Sequence, residues 1–195
     1  LLADPDGPLL AKAYREIFFP GSTFKLVTGA AGVETGWIRA DDPVFPPSSG
    51  YDPIPAGATI RNFGGSTCGG DLVEILRVSC NTAFSEMGAE WAGPDAMVIA
   101  AEGFGFNRVP EIDLPAAVAS RFPTDYGSFL APVEFYRGVA DAPNTGVAVH
   151  ENSARLAQTS IGQNDVAATP LQMAMVVAAI ANGGEVMRPH VVDAL

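Results

Sequence analysis

PGSTFKLVTGAAGVET, residues 20–35, is the stretch on which the reading of this chain turns. Pro20 and Gly21 make a turn that hands over to a helix-compatible run from Ser22 to Thr35, closed by Gly36. Ser22 stands where an N-cap or first-turn residue belongs. Three residues on, Lys25 projects from the same face one turn later, which puts an amine within reach of a hydroxyl: a nucleophile with its own base. A capping serine followed by a solvated lysine has the same spacing, and a bare SxxK is common. Two features favour chemistry. Lys25 is one of only two lysines, the other being Lys12, and the run around it from Phe24 to Val33 is otherwise apolar, where an ammonium is costly without a purpose. Gly29, Ala30, Ala31 and Gly32 suit a lone helix poorly, each glycine costing about 1 kcal/mol relative to alanine, but they let another element approach closely. The helix is therefore expected to be central and buried.

Downstream, residues 41–70 are rich in proline and glycine and hold only short β-like pieces such as Ala58 to Phe63, which predicts an irregular excursion or small hairpin lobe. Asp71 and Glu74 have capping-box spacing ahead of Leu72, Val73, Ile75, Leu76 and Val78, so a helix is expected to run to about Val78. Ser79-Cys80-Asn81 ends it, and a second helix from Thr82 to Trp91 follows. The corner between them offers a second hydroxyl and an amide that could relay a proton and hold a carbonyl, although turn and capping roles explain the same residues. Ala96 to Gly103 predicts another helix. Residues 104–158 lack sustained periodicity and are expected to be a long loop region. Thr169-Pro170 starts a last helix that runs to Ala181 and stops at Asn182-Gly183-Gly184.

Composition narrows the classes. The 195 residues suffice for one sizeable core, and with 48% hydrophobic against 17% charged residues the chain is expected to fold. Its 11 basic and 22 acidic residues, net charge -11, leave no basic stripe to neutralise phosphates, so no nucleic acid is expected as partner. The longest apolar run, Met173 to Ala181, falls far short of the roughly 20 residues needed to cross a bilayer, so contact with a membrane is expected only through a segment absent from these residues. His150 and His190, with two scattered cysteines, make no zinc-ligand spacing; neither a metal nor another cofactor is expected.

Together, PGSTFK at 20–25, SCN at 79–81 and TSIGQNDVAATPLQMAMVVAAIANGG at 159–184 resemble the transpeptidase domain of penicillin-binding proteins, especially actinobacterial monofunctional ones, in order and spacing across nearly the whole chain. The resemblance implies an α/β (α+β) fold, a helical subdomain packed on an antiparallel sheet whose strands lie mostly outside these residues. It implies that Ser22 is the acylated nucleophile, Lys25 its general base, Ser79 the relay toward the leaving amine and Asn81 the group that binds the substrate amide. The implied activity is peptidoglycan D,D-transpeptidation on stem peptides from a lipid-linked precursor, at the extracytoplasmic face of the bacterial membrane, with β-lactams trapped on the same serine. A KTG motif is missing, since no lysine follows Lys25; the expectation is an internal piece of a longer polypeptide. That gap leaves two alternatives open. One is a β-lactam sensor or β-lactamase on the same fold, although Glu111 and Glu134 lack the asparagine spacing of a class A deacylating base. The other is a non-catalytic remnant. An oxidising location makes a disulfide between Cys68 and Cys80 possible, closing a loop worth roughly 3 kcal/mol; a buried filler and a loop thiol are the alternative.

Overall fold

In the computed structural model, which describes residues 11–138, 143 and 145–192, the helix carrying Lys25 runs through the middle of the molecule. A short helix α1 (Lys12–Arg15) leads in, a 3-10 turn covers Gly21–Phe24, and α2 follows over Lys25–Glu34. Ser22 is thus a first-turn residue rather than a cap, and no side chain caps this end. Along α2 the buried positions are Lys25, Val27, Thr28, Ala31 and Gly32. Gly32 lies against Met87 and Ile38, the close approach expected of the small residues.

The 41–70 excursion is two antiparallel pairs, β1 (Phe45–Ser48) with β4 (Cys68–Gly70) and β2 (Gly50–Tyr51) with β3 (Ile60–Arg61). Helix α3 (Leu72–Arg77) begins at Asp71, whose carboxylate accepts from the Glu74 N–H at 2.8 Å. Only half of the expected capping box forms, because the Glu74 side chain turns to Arg77 instead. Helix α4 (Asn81–Glu86) widens into a π-helical segment, Met87–Ala92, before α5 (Gly93–Gly103). The expected loop region from 104 to 158 is irregular only in its first half. Its second half is a small lobe: β5 (Phe129–Pro132), α6 (Val133–Arg137) and β6 (Ala148–His150), with β5 and β6 antiparallel, followed by α7 (Ser153–Thr159). Short strands and helices of this length carry too few residues to show a period. Helix α8 (Pro170–Ala181) opens with the Thr169 hydroxyl accepting from the Gln172 N–H at 3.0 Å, as Thr-Pro at its start predicts.

Two hydrophobic clusters meet at α2. One joins Phe24, Val27 and Ala31 to Met97, Phe106, Phe122, Leu156 and Val176, with Phe24 stacked on Phe122 at 5.3 Å and edge-on to Phe106 at 5.4 Å. The other gathers Ile38, Phe45, Ile75, Phe84, Met87 and Ile161 around α4. The remaining face of α2 is an open apolar groove of about 250 Å³, in which Leu26, Ala30 and Val33 lie beside Leu72, Leu76 and Ile180.

Buried polar groups tie the outer lobes to this frame. Glu90, on the π-helical segment, accepts from the Tyr51 hydroxyl at 2.6 Å and from Arg137 of α6 at 2.6 Å. Arg137 also donates to the Asp52 carbonyl and lies over the Tyr51 ring. One turn before Glu90, burial and then the Glu90 charge push the Glu86 carboxyl up to about 7. At the other end of α2, the Gly21 N–H donates to the Gly162 carbonyl at 3.0 Å. Gly162 has φ +70°, and a Cβ there would overlap the Gly21 carbonyl oxygen.

Two outcomes are expected. Gly162→Ala combines a left-handed backbone with a backbone collision, and thermal melting should show a loss of about 2 kcal/mol or more. Glu86 binds its proton more tightly folded than unfolded, so its contribution to stability is fully present below about pH 4.5 and is lost as the pH rises through about 7. Glu86→Gln should therefore flatten the decline in urea midpoint between pH 5 and 7; an unchanged slope would show that Glu86 is ionised throughout.

Candidate active site

Lys25 is 1% exposed, yet its side chain ends among oxygens. Its Nζ lies 2.6 Å from Asn81 Oδ1, 2.7 Å from the Ser79 carbonyl, 2.9 Å from Ser79 Oγ and 3.2 Å from Ser22 Oγ. The Phe84 ring lies 5.8 Å below. All four residues expected at the site, Ser22, Lys25, Ser79 and Asn81, thus meet at one nitrogen. Burial lowers the Lys25 pKa from the ordinary 10.5 to about 8.

The stoichiometry of that nitrogen is informative. An ammonium has three N–H groups for four oxygens. A neutral amine has two, which the carbonyl of Ser79 and Oδ1 of Asn81 occupy, since neither can donate in return. The remaining lone pair then faces the two hydroxyls, Ser22 and Ser79, and can accept a proton from either. Ser22 is itself exposed to solvent at the start of the 3-10 turn, so its oxygen is open to a substrate.

Local structure fixes the partners. Ser79 has φ +56°, a left-handed conformation that strains a non-glycine residue. It is held there from both sides: its own N–H donates to the Leu76 carbonyl and the Cys80 N–H to the Ile75 carbonyl. Cys80 is bonded to Cys68 of β4, with Cα atoms 5.8 Å apart, so of the two readings open in the sequence the bridge is the one formed. Asn81 is the first residue of α4; while its Oδ1 accepts from Lys25, its Nδ2 donates to the Arg61 carbonyl at 3.0 Å.

Sequence reasoning missed Asn62. This buried amide donates to the Ser48 and Ser66 carbonyls at 2.8 and 2.9 Å and accepts from the Thr82 N–H at 3.0 Å, joining the loop after β3 to the start of α4. A polar residue between a short strand and a Gly-Gly turn was the available signal. Gly21, Ser22, Phe63, Ser79, Asn81 and Gln163 line a cleft of about 470 Å³ over the lysine. A larger groove, about 770 Å³, runs between residues 17–19, 121–124 and 164–167; it contains Arg121 and Arg155 but no paired nucleophile and base. Among the described residues, no three His, Cys, Asp or Glu side chains are grouped to hold a metal ion.

The chain has clear relatives. It is 39% identical over 98% of its length to peptidoglycan D,D-transpeptidase PbpA of Mycolicibacterium smegmatis, and 36% identical over 98% to PbpA of Mycobacterium tuberculosis. It spans about a third (34%) of the length of these curated relatives. Among solved structures, the imipenem acyl-enzyme complex of M. tuberculosis penicillin-binding protein A superposes with a TM-score of 0.76 at 32% identity, over 96% of this chain and 38% of that one. The family described as the penicillin binding protein transpeptidase domain matches residues 3–195. With that match covering nearly every residue, and with the helical α/β architecture shared with its solved relatives, this chain belongs to the penicillin-binding protein transpeptidase domain family.

Proposed function

We propose that these residues carry the nucleophilic half of a peptidoglycan D,D-transpeptidase. The observation that carries the reading is a lysine kept buried and easily deprotonated, with its lone pair facing the exposed hydroxyl of Ser22. Relatives named as peptidoglycan D,D-transpeptidases, and a relative captured as a β-lactam acyl-enzyme, support it.

In the proposed reaction, neutral Lys25 takes the Ser22 hydroxyl proton as Oγ attacks the carbonyl between two terminal D-alanines of a stem peptide. The C–N bond breaks, D-alanine leaves as an amine, and the proton reaches that nitrogen from Lys25 by way of the Ser79 hydroxyl. The amine of a second stem peptide then attacks the acyl-Ser22 ester, giving up its proton along the same route and releasing the serine. Asn81, with one N–H on the Arg61 carbonyl, has a second N–H for the backbone of the acyl donor. A β-lactam follows the first half: ring opening gives the acyl-Ser22 ester while the severed nitrogen stays tethered. The donors come from lipid-linked precursors on the outer side of the cytoplasmic membrane. No helix among the described residues is long and apolar enough to cross that membrane.

The lysine's protonation sets the expected pH dependence. With a folded pKa of about 8, roughly a tenth of the amine is neutral at pH 7, so acylation by penicillin in the full chain should rise about tenfold per unit below that value and level off above it. Lys25→Arg keeps the charge but cannot give up its proton, and should lower acylation by a factor of about a thousand or more. Retention of acylation within a few-fold would make the lysine structural. In mass spectra of penicillin-treated protein the adduct should map to Ser22 and vanish in Ser22→Ala; an adduct elsewhere overturns the assignment.

A further inference from the structure

The groove of about 770 Å³ between residues 17–19, 121–124 and 164–167 is larger than the cleft over Lys25, at about 470 Å³, and has no part in the acylation of Ser22. The two depressions share their borders. Gly21, Ser22 and Gln163 line the cleft, while Phe18, Phe19 and Asn164 line the groove, so the same two segments, 17–22 and 162–167, border both. These segments are tied together at both ends. Phe18 and Ala168 exchange N–H···O bonds of 2.9 and 2.8 Å, and the Gly21 N–H donates to the Gly162 carbonyl at 3.0 Å. The third wall is tied in the same way, Arg121 and Ala167 exchanging bonds of 2.7 and 3.1 Å. Next to Arg121, the buried Phe122 stacks on Phe24, two residues after Ser22. Phe19 and Ser22 are three residues apart, at most about 11 Å even in a fully extended chain, a length that three residues of a bound peptide would also span. The groove is therefore held in fixed relation to the nucleophile.

Its charge departs from that of the chain. Against a net charge of -11, the groove is lined by two guanidiniums and one carboxylate. Asp165 is taken by Arg155 at 2.6 Å. Arg121 is exposed, and its guanidinium has no hydrogen-bond or ion-pair partner among the described residues. A free guanidinium fork matches a carboxylate bidentately. The exposed rings of Phe18 and Phe19 add apolar contact for the rest of a ligand. A transfer between two peptides needs such a second surface, because the donor still occupies the cleft when the amine attacks.

We infer that this groove holds the acyl acceptor: an anionic stem peptide whose carboxylate is taken by Arg121 and whose amine is brought to acyl-Ser22 along the 17–22 segment. The inference rests on the reading of Ser22 as the acylated residue. Transfer forms a C–N bond, breaks the C–O bond of the Ser22 ester and passes the amine's proton to Ser22 Oγ, so the groove supplies position rather than chemistry.

The test uses the full-length protein and an N-acyl-D-alanyl thioester, whose acyl-Ser22 ester partitions between water and an added amine. Two acceptors are compared: the N-acetyl tripeptide L-Ala-γ-D-Glu-L-Lys, with free carboxylates and a free side-chain amine, and the same peptide with its carboxylates amidated. Arg121→Gln should lower the ratio of transfer to hydrolysis roughly tenfold for the first acceptor and by less than about twofold for the second. Acylation by benzylpenicillin, which needs no acceptor, should change by less than about twofold. Arg121→Lys should recover part of the loss through charge alone. An unchanged ratio in Arg121→Gln, or equal losses with both acceptors, would overturn the inference, and so would an acylated protein that transfers to neither. Failure of the unaltered protein to be acylated would instead defeat the reading of Ser22, and this inference with it.

Discussion

An amine of ordinary pKa is a poor base at neutral pH, and a buried ammonium is unstable unless its hydrogens are satisfied. The environment of Lys25 answers both constraints together: burial favours the neutral form, and the oxygens of Ser79, Asn81 and Ser22 satisfy whichever form is present. Much of the remaining structure can be understood as support for that nitrogen. The left-handed Ser79 presents both its carbonyl and its hydroxyl to the same nitrogen. The bond between Cys80 and Cys68 and the amide of Asn62 then fix the strained corner to the β1–β4 and β2–β3 pairs. Tyr51, Glu90 and Arg137 extend the same frame to the α6 lobe, where a fully satisfied charge pair avoids the penalty of an isolated buried carboxylate.

How much of this was legible in sequence depended on the range of the interaction. The turn before Ser22, the Thr169-Pro170 start of α8 and the Asp71 cap are decided within four residues, and each formed where the local pattern placed it. The pairing of Ser22 with Lys25 is also local, a consequence of helical pitch. The meeting of that pair with Ser79 and Asn81 is not, because it depends on packing between elements more than fifty residues apart; family resemblance, not periodicity, brought those residues together beforehand. Asn62 escaped notice because a buried amide looks like any turn asparagine until its three partners are in place. The lobe of β5, α6 and β6 was hidden by brevity, and half of the Asp71 capping box was lost to a competing bidentate contact with Arg77.

The open side of α2 is apolar along its length. Leu26, Ala30 and Val33 present small and branched side chains in a row beside Leu72, Leu76 and Ile180. Every square ångström of that groove taken from water contributes about 25 cal/mol. The same helix that carries the lysine also lines that groove, with Lys25 itself among the lining residues.

The long reach of the contacts around α2 makes the surroundings of Lys25 a late property of the chain. Thr28 donates to the Ser160 carbonyl across 132 positions, and Lys25 reaches Asn81 across 56. Until those segments close, the lysine is solvated and protonated. The oxygens around the amine are thus gathered only in a molecule whose distant parts have already found one another.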